Sequence, residues 1–176
     1  FIYQVSVPQA AGLAQLQSGR PLEAIPLLRR GVESWTNLGG RVRIPYLKSA
    51  LAEAVALQGD LPAALELIDE CIEQIEQPAF QERIWLAEVL RLKGWMLMRQ
   101  GRDDEAETQL RAALACARQQ GAKSWELRSA TTLAALLARR GQRDAARDLL
   151  SSIHGWFTEG TDTKDLIEAL ACLASL

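Results

Sequence analysis

Apolar residues along this chain recur at the spacing of amphipathic helices, and short polar turns separate the helical segments. Leu133, Leu136 and Leu137 fall on one face of a helix, and Ala145 and Leu149 repeat this spacing after the next turn. Ala, Leu, Arg, Glu and Gln, which favour helices, dominate the composition. The pattern therefore predicts an all-α chain built from pairs of helices joined by tight turns.

Four of the turns begin with a glycine and are almost evenly spaced, which indicates an internal repeat. The intervals between these glycines are 40, 42 and 40 residues. An alanine follows each glycine by five residues, a large aliphatic residue follows by nine, and a small residue precedes it by seven. The columns are Gly19, Gly59, Gly101 and Gly141; Ala24, Ala64, Ala106 and Ala146; Leu28, Ile68, Leu110 and Leu150; and Gly12, Ala52, Gly94 and Ala134.

Each column has a physical role in a helical hairpin. We expect the turn glycine to take the left-handed conformation that ends the first helix. The alanine and the small residue should face each other where the helices cross, because larger side chains would separate the axes. First helices are predicted near 7–18, 42–58, 81–100 and 123–140, and second helices near 21–38, 61–76, 103–120 and 143–154. A terminal helix near 163–175, capped by Asp162 or Thr163, would close the array.

These columns resemble the tetratricopeptide repeat over essentially the whole chain. The period of 40–42 residues exceeds the usual ~34, which leaves a HEAT-like array, with self-association, as an alternative. The resemblance implies a right-handed α-α superhelix, with hairpins at about 7–38, 42–76, 81–120 and 123–154 and a C-terminal capping helix, in a single domain of residues 1–176. It also implies a non-catalytic scaffold that binds a protein or peptide.

A second resemblance is carried by residues 85–94 (WLAEVLRLKG), 124–128 (SWELR) and 156–166 (WFTEGTDTKDL). These runs are similar to the C-terminal repeat region of bacterial multidomain signalling proteins. Such proteins carry a class III adenylate/guanylate cyclase domain or a DNA-binding transcription-activator domain, followed by a P-loop ATPase module. The resemblance implies a cytoplasmic sensor or partner-binding arm, whose partner could be another domain of the same polypeptide. Since the chain opens at Phe1, we expect a fragment whose cyclase or ATPase activity would lie in domains outside it.

Composition and motifs argue against chemistry within the chain. The 20 basic and 22 acidic side chains give a net charge of −2, so no global field attracts nucleic acid. No stretch approaches the ~20 apolar residues that span a bilayer. The three dispersed cysteines fit buried positions in a reducing compartment. No glycine-rich phosphate loop is present, and His154 alone cannot supply a metal cluster. We expect no enzyme activity, cofactor or metal.

The resemblance also predicts a binding groove along the first helices, at positions thirteen, ten, six, three and two residues before each turn glycine. The groove residues singled out are Tyr46, Glu53, Glu88, Arg91, Trp95, Arg99, Arg128 and Arg139. Trp and Arg are enriched at binding centres, and four arginines around Trp95 would suit a partner with carboxylates. Alternatives are a small effector enclosed by the superhelix and a weak homodimer through the array ends, including residues 1–5. Trp156 and Phe157 are expected beneath the terminal helix.

Overall fold

The structure, a computed structural model, describes residues 6–80 and 82–176, and these contain nine α-helices and no strand. The helices are α1 Val7–Gln17, α2 Pro21–Asn37, α3 Ile44–Leu57, α4 Leu61–Glu76, α5 Leu86–Arg99, α6 Asp103–Gln119, α7 Lys123–Arg139, α8 Arg143–His154 and α9 Lys164–Ser175. Successive pairs from α1–α2 to α7–α8 form four hairpins, and α9 follows alone. The predicted all-α fold class, with four hairpins and a terminal helix, is confirmed.

The chain divides into two compact units, Phe1–Trp85 and Leu86–Leu176, here called unit 1 and unit 2. The single-domain interpretation of residues 1–176 stays a prediction. The third first helix, predicted from residue 81, begins instead at Leu86. Gln81 and the homodimer segment 1–5 lie outside the described residues.

The four turn glycines adopt the left-handed conformation that the repeat pattern predicts. Their φ angles are 72°, 96°, 77° and 79° at Gly19, Gly59, Gly101 and Gly141. Residues that carry a side chain rarely adopt this backbone conformation. A glycine at each turn therefore lets the first helix end and the second begin within a few residues.

The helix crossing that the small residues predict is seen clearly in the α5–α6 hairpin. A Cβ atom added to Gly94 would lie 2.6 Å from the Leu110 side chain and 3.1 Å from the Ala106 carbonyl oxygen. Ala106 and Leu110 are fully buried. The glycine therefore allows the two helices to approach until Leu110 fills the space at the crossing.

In unit 1, α2 packs against both α1 and α3, and α3 packs against α4. Leu28, Leu47, Ile68 and Ile75 are fully buried, and they supply the large side chains of its core. The connections that follow α2 and α4 carry residues that are described below.

In unit 2, α5 contacts α7 and α7 contacts α9, so these three helices form one row. The second helices α6 and α8 pack between them, and α9 covers parts of α7 and α8 as a capping helix should. Thr163 is the N-cap residue of α9, although its side chain makes no capping hydrogen bond. The expectation for Trp156 is wrong: its side chain is 68% exposed, and the Lys123 ammonium lies 4.0 Å from the centre of its ring.

Candidate partner-binding face

Four charged side chains join α5, α7 and α9 of unit 2 into one network. The Arg91 guanidinium donates to both oxygens of Glu88, at 2.7 and 2.8 Å, within α5. Arg128 on α7 reaches the same carboxylate at 2.9 Å, and its Nε lies 3.7 Å from the Asp165 carboxylate on α9. The network thus connects α5, α7 and α9 through two positive and two negative groups.

Glu88 and Arg91, which the sequence analysis placed in an open groove, are buried. Their side chains are only 6% and 8% exposed. A buried charge is tolerated when a partner neutralises it and its hydrogen bonds are satisfied. Glu88 and Arg91 neutralise each other and satisfy each other's hydrogen bonds. They therefore support the surface and offer no free charge to a partner.

Trp95 lies one helical turn beyond Arg91 on the same side of α5. Its side chain is half-buried, and the Arg99 guanidinium carbon lies 5.1 Å from the centre of its ring. Arg99 itself is exposed. This cation–π pair presents an aromatic surface beside a charge at the surface of unit 2.

We use the name first-helix face for the side of unit 2 that carries this pair and the neighbouring network. It is formed by Glu88, Arg91, Trp95 and Arg99 on α5, by Arg128, Thr131 and Ala135 on α7, and by Asp165 on α9. Thr131 and Ala135 follow Arg128 at helical spacing and are half-buried and exposed, respectively. The predicted residues Glu88, Arg91, Trp95, Arg99 and Arg128 are therefore brought together.

Arg139, another predicted groove residue, lies at the C-terminal end of α7. Its guanidinium donates to the Met98 carbonyl oxygen at 3.0 Å and forms an ion pair with Asp103. The next residue, Arg140, pairs with Glu107 at 2.7 Å and with Asp104 at 2.9 Å. These contacts fasten the end of α7 to the α5–α6 hairpin, so the arginines at this end serve the packing of successive hairpins.

Tyr46 and Glu53, the two predicted groove residues in unit 1, lie on α3. Tyr46 stacks on Trp85 with ring centres 4.4 Å apart, and Glu53 is half-buried. Glu82 accepts a hydrogen bond from the Trp85 indole N–H at 3.1 Å and another from the Arg43 backbone N–H at 2.9 Å. The sequence analysis did not single out Glu82, because it assigned residues 81–85 to a helix and found no repeat position at residue 82.

Within residues 6–80 and 82–176, no group of three or more His, Cys, Asp or Glu side chains could hold a metal ion. None of the helices in this part of the chain has the length and apolarity needed to cross a membrane. Cys71 is buried in unit 1, where desolvation raises its thiol pKa to about 12. Such a thiol is a packing group and a poor nucleophile.

Residues 42–119 match the family model of the tetratricopeptide repeat. The match covers the α3–α4 and α5–α6 hairpins. Tetratricopeptide repeats generally mediate contacts between proteins and lack catalytic activity, and the matched range contains Tyr46, Glu53, Glu88, Arg91, Trp95 and Arg99. No curated protein sequence matches the chain.

Solved structures support the same fold along the rest of the chain. A putative kinesin light chain of Podosopora anserina with nearly identical TPR-like repeats aligns with a TM-score of 0.68 and 19% identity, over 97% of this chain and 83% of that one. Another crystal structure of that protein gives a TM-score of 0.69 at the same identity and coverage. BtubC (BKLC) from P. vanneervenii aligns at 0.72 and 15% identity, over 92% of this chain and 66% of that one. At these identities the likeness shows the fold alone, an α-α superhelix of tetratricopeptide type.

Proposed function

We propose that this chain is a non-catalytic interaction scaffold, and that the first-helix face of unit 2 binds an extended segment of a partner protein. The observation that carries the proposal is the half-buried Trp95 with Arg99 over its ring, beside a closed ionic network. Trp and Arg are the residue types that most often dominate the free energy of binding at interfaces.

The network makes the face rigid before a partner arrives. Glu88 holds two arginines from different helices, and Arg128 also reaches α9, so the side chains have little freedom left to lose. Preorganised side chains reduce the entropy cost of association. Because the network is neutral as a whole, we expect shape and aromatic contact to select the partner more than charge.

Most of the four arginines expected around Trp95 are already paired within the protein, which sets the expected salt dependence of binding. Of those arginines, Arg91 and Arg128 are neutralised in the network and Arg139 is paired with Asp103. The fourth, Arg99, lies over the ring of Trp95. We expect the dissociation constant of a bound peptide to change less than about threefold between low and high salt, since three of the four arginines are already paired within the protein and little charge attraction is left for salt to screen.

The test begins with selection of peptides from a displayed library on the whole chain. Fluorescence polarisation then gives their dissociation constants for the wild type, Trp95→Ala and the matched control Trp156→Ala. Loss of a central Trp costs about 2 kcal/mol or more, which corresponds to a factor of about thirty in affinity. The control removes an exposed Trp in the α8–α9 connection and should change the affinity less than about twofold.

Equal weakening by the two variants, or by neither, would place the binding surface elsewhere and contradict the proposal. Trp95→Phe serves as a check on folding, because it keeps a ring at the same place. We expect an affinity between those of the wild type and Trp95→Ala, with an unchanged circular dichroism spectrum.

The resemblance of residues 85–94, 124–128 and 156–166 supports a finer proposal about context. We propose that the chain is the C-terminal regulatory arm of a cytoplasmic bacterial signalling protein with a P-loop ATPase module and a cyclase or activator domain. Its partner would then be a protein, including another domain of the same polypeptide. Sequencing the gene upstream of the codon for Phe1 tests this directly, because a reading frame without a P-loop module would overturn it.

A further inference from the structure

Two connections of unit 1 form a second surface with properties unlike those of the first-helix face. Residues from the α2–α3 connection and from the connection after α4 border an open pocket of about 370 Å³. It is lined by Arg41, Val42, Ala79, Phe80 and Glu82. We call these five residues, together with Arg43, the loop surface. A pocket of this size accommodates one or two side chains of a ligand.

The charge of the loop surface is positive although the chain as a whole is negative. Arg41 and Arg43 are exposed, and neither guanidinium forms an ion pair with a described residue. Both oxygens of Glu82 already accept hydrogen bonds, from the Arg43 backbone and from the Trp85 indole. The surface therefore offers two available cations beside one carboxylate that is engaged.

The apolar part of the loop surface lies between these charges. Val42 is 54% exposed, Ala79 is exposed and Phe80 forms a buried wall of the pocket. An aliphatic side chain that entered the pocket would cover Val42 and Phe80, and the neighbouring arginines could hold carboxylates through bidentate hydrogen bonds.

The loops are fixed in place without a ligand. The Trp35 indole N–H donates to the Val42 carbonyl oxygen at 2.7 Å, and the Arg43 N–H is held by Glu82. Arg43 is the non-glycine residue with a positive φ, 69°, among the described residues. A non-glycine residue keeps a left-handed backbone conformation only where the surrounding structure holds it there. Such residues cluster at sites that bind ligands.

From the pocket, its unpaired arginines and its fixed loops, we propose that the loop surface binds an acidic peptide segment that inserts one aliphatic side chain between Val42 and Phe80. Charge complementarity favours a peptide with carboxylates on both sides of the inserted residue. The two available cations are too few for the stripe of positive charge that nucleic acid requires. This site is separate from the first-helix face and does not depend on it.

The experiment is an amide chemical-shift titration of the isotope-labelled chain with a synthetic probe peptide, one leucine flanked on both sides by aspartates. We expect shifts at Val42, Arg43, Ala79, Phe80 and Glu82. Affinity should fall about tenfold when asparagines replace the aspartates, because the charge-assisted hydrogen bonds are lost. A peptide with alanine in place of leucine should also bind more weakly, and added salt should weaken the parent peptide.

Two matched double variants separate this surface from general charge effects. Arg41→Ala with Arg43→Gly removes both cations, while glycine retains the left-handed conformation at residue 43 without strain, so the fold should persist. Arg29→Ala with Arg30→Ala removes two exposed arginines of α2 in the same unit. We expect about tenfold weaker binding in the first variant and no change in the second.

Three results would overturn the proposal. One is the absence of shifts at the loop surface with millimolar peptide, and another is an equal loss of affinity in both double variants. The third is binding of phosphatidylserine vesicles or single-stranded oligothymidine through Arg41 and Arg43 without binding of the peptide. Shifts centred on the Trp95 indole would instead report on the first-helix face, so failures of the two proposals are distinguishable.

Discussion

At the scale of residues, two ion pairs with the same spacing show how burial decides the role of a charge. Glu88–Arg91 and Arg102–Glu105 are both three residues apart, with a closest distance of 2.7 Å. The first pair is nearly inaccessible, whereas the side chains of the second are 47% and 59% exposed. The first is also shared with another helix, through Arg128.

Removal of each glutamate should therefore give very different losses of stability. Glu88→Ala leaves Arg91 and Arg128 without their shared counter-ion, so we expect the free energy of unfolding to fall by about 3–5 kcal/mol. Glu105→Ala removes a solvated pair and should change the free energy of unfolding very little. Urea unfolding followed by circular dichroism measures both, and similar values for the two variants would refute the structural role of the network.

The carboxyl of Glu126 predicts a pH dependence in unit 2. Burial opposes its ionisation, but hydrogen bonds from Lys123 and Arg118 outweigh that effect and hold the pKa below the ordinary value of 4.5. A group with a lowered pKa in the folded state stabilises the protein above the unfolded pKa, and this contribution is lost as the pH falls through the folded pKa. The wild type should therefore be more stable than Glu126→Gln at neutral pH.

That difference should shrink steadily as the pH is lowered below 4.5, where the carboxyl becomes protonated first in the unfolded and then in the folded chain. Urea unfolding across this range measures it. Arg118→Ala with Lys123→Ala should remove most of the effect of Glu126→Gln. A difference that is independent of pH would contradict the account.

Cys71 provides a second chemical test at this scale. Its raised thiol pKa and complete burial predict negligible reaction with iodoacetamide in the folded chain at mildly alkaline pH. The same thiol should react readily in urea, and mass spectrometry of peptides distinguishes it from the partly exposed Cys116 and Cys172. Rapid native labelling of Cys71 would show that α3 and α4 open easily.

At the scale of elements, the helix crossing in the α5–α6 hairpin depends on the absence of a side chain at residue 94. Gly94→Ala would force contact with Leu110 and with the Ala106 carbonyl, and overpacking of this kind costs ~1–3 kcal/mol. Alanine returns up to ~1 kcal/mol through its helix propensity. We expect a net loss of about 1 kcal/mol in urea unfolding, whereas an increase in stability would contradict the close crossing.

The helices themselves were largely predictable, because the turn glycines mark where a first helix ends and the small residues mark where two helices cross closely. The start of α5 was not, since Glu82 is held outside the helix by the hydrogen bond that it accepts from the Arg43 backbone, 39 residues away in the sequence. The Trp156 prediction failed for a related reason. A large apolar residue is usually buried, but this one lies in a connection under the Lys123 ammonium.

At the scale of the whole molecule, the sequence identified the helices that carry the candidate site better than it identified the side chains that are available there. Helical spacing groups Glu88, Arg91 and Trp95 on one side of α5. It could not show that Arg128 approaches Glu88 from α7, since periodicity treats charged residues as exposed. The loop surface was missed because its residues come from two connections without repeat positions.

The central claim is that the first-helix face receives the partner, and photo-crosslinking with a library-selected peptide tests it most directly. Mass spectrometry of the crosslinked chain should place the adducts on α5 and α7, at Trp95, Met98, Thr131 and Ala135. They should disappear when unlabelled peptide competes. Adducts confined to α6 and α8, the second helices of unit 2, would contradict the claim.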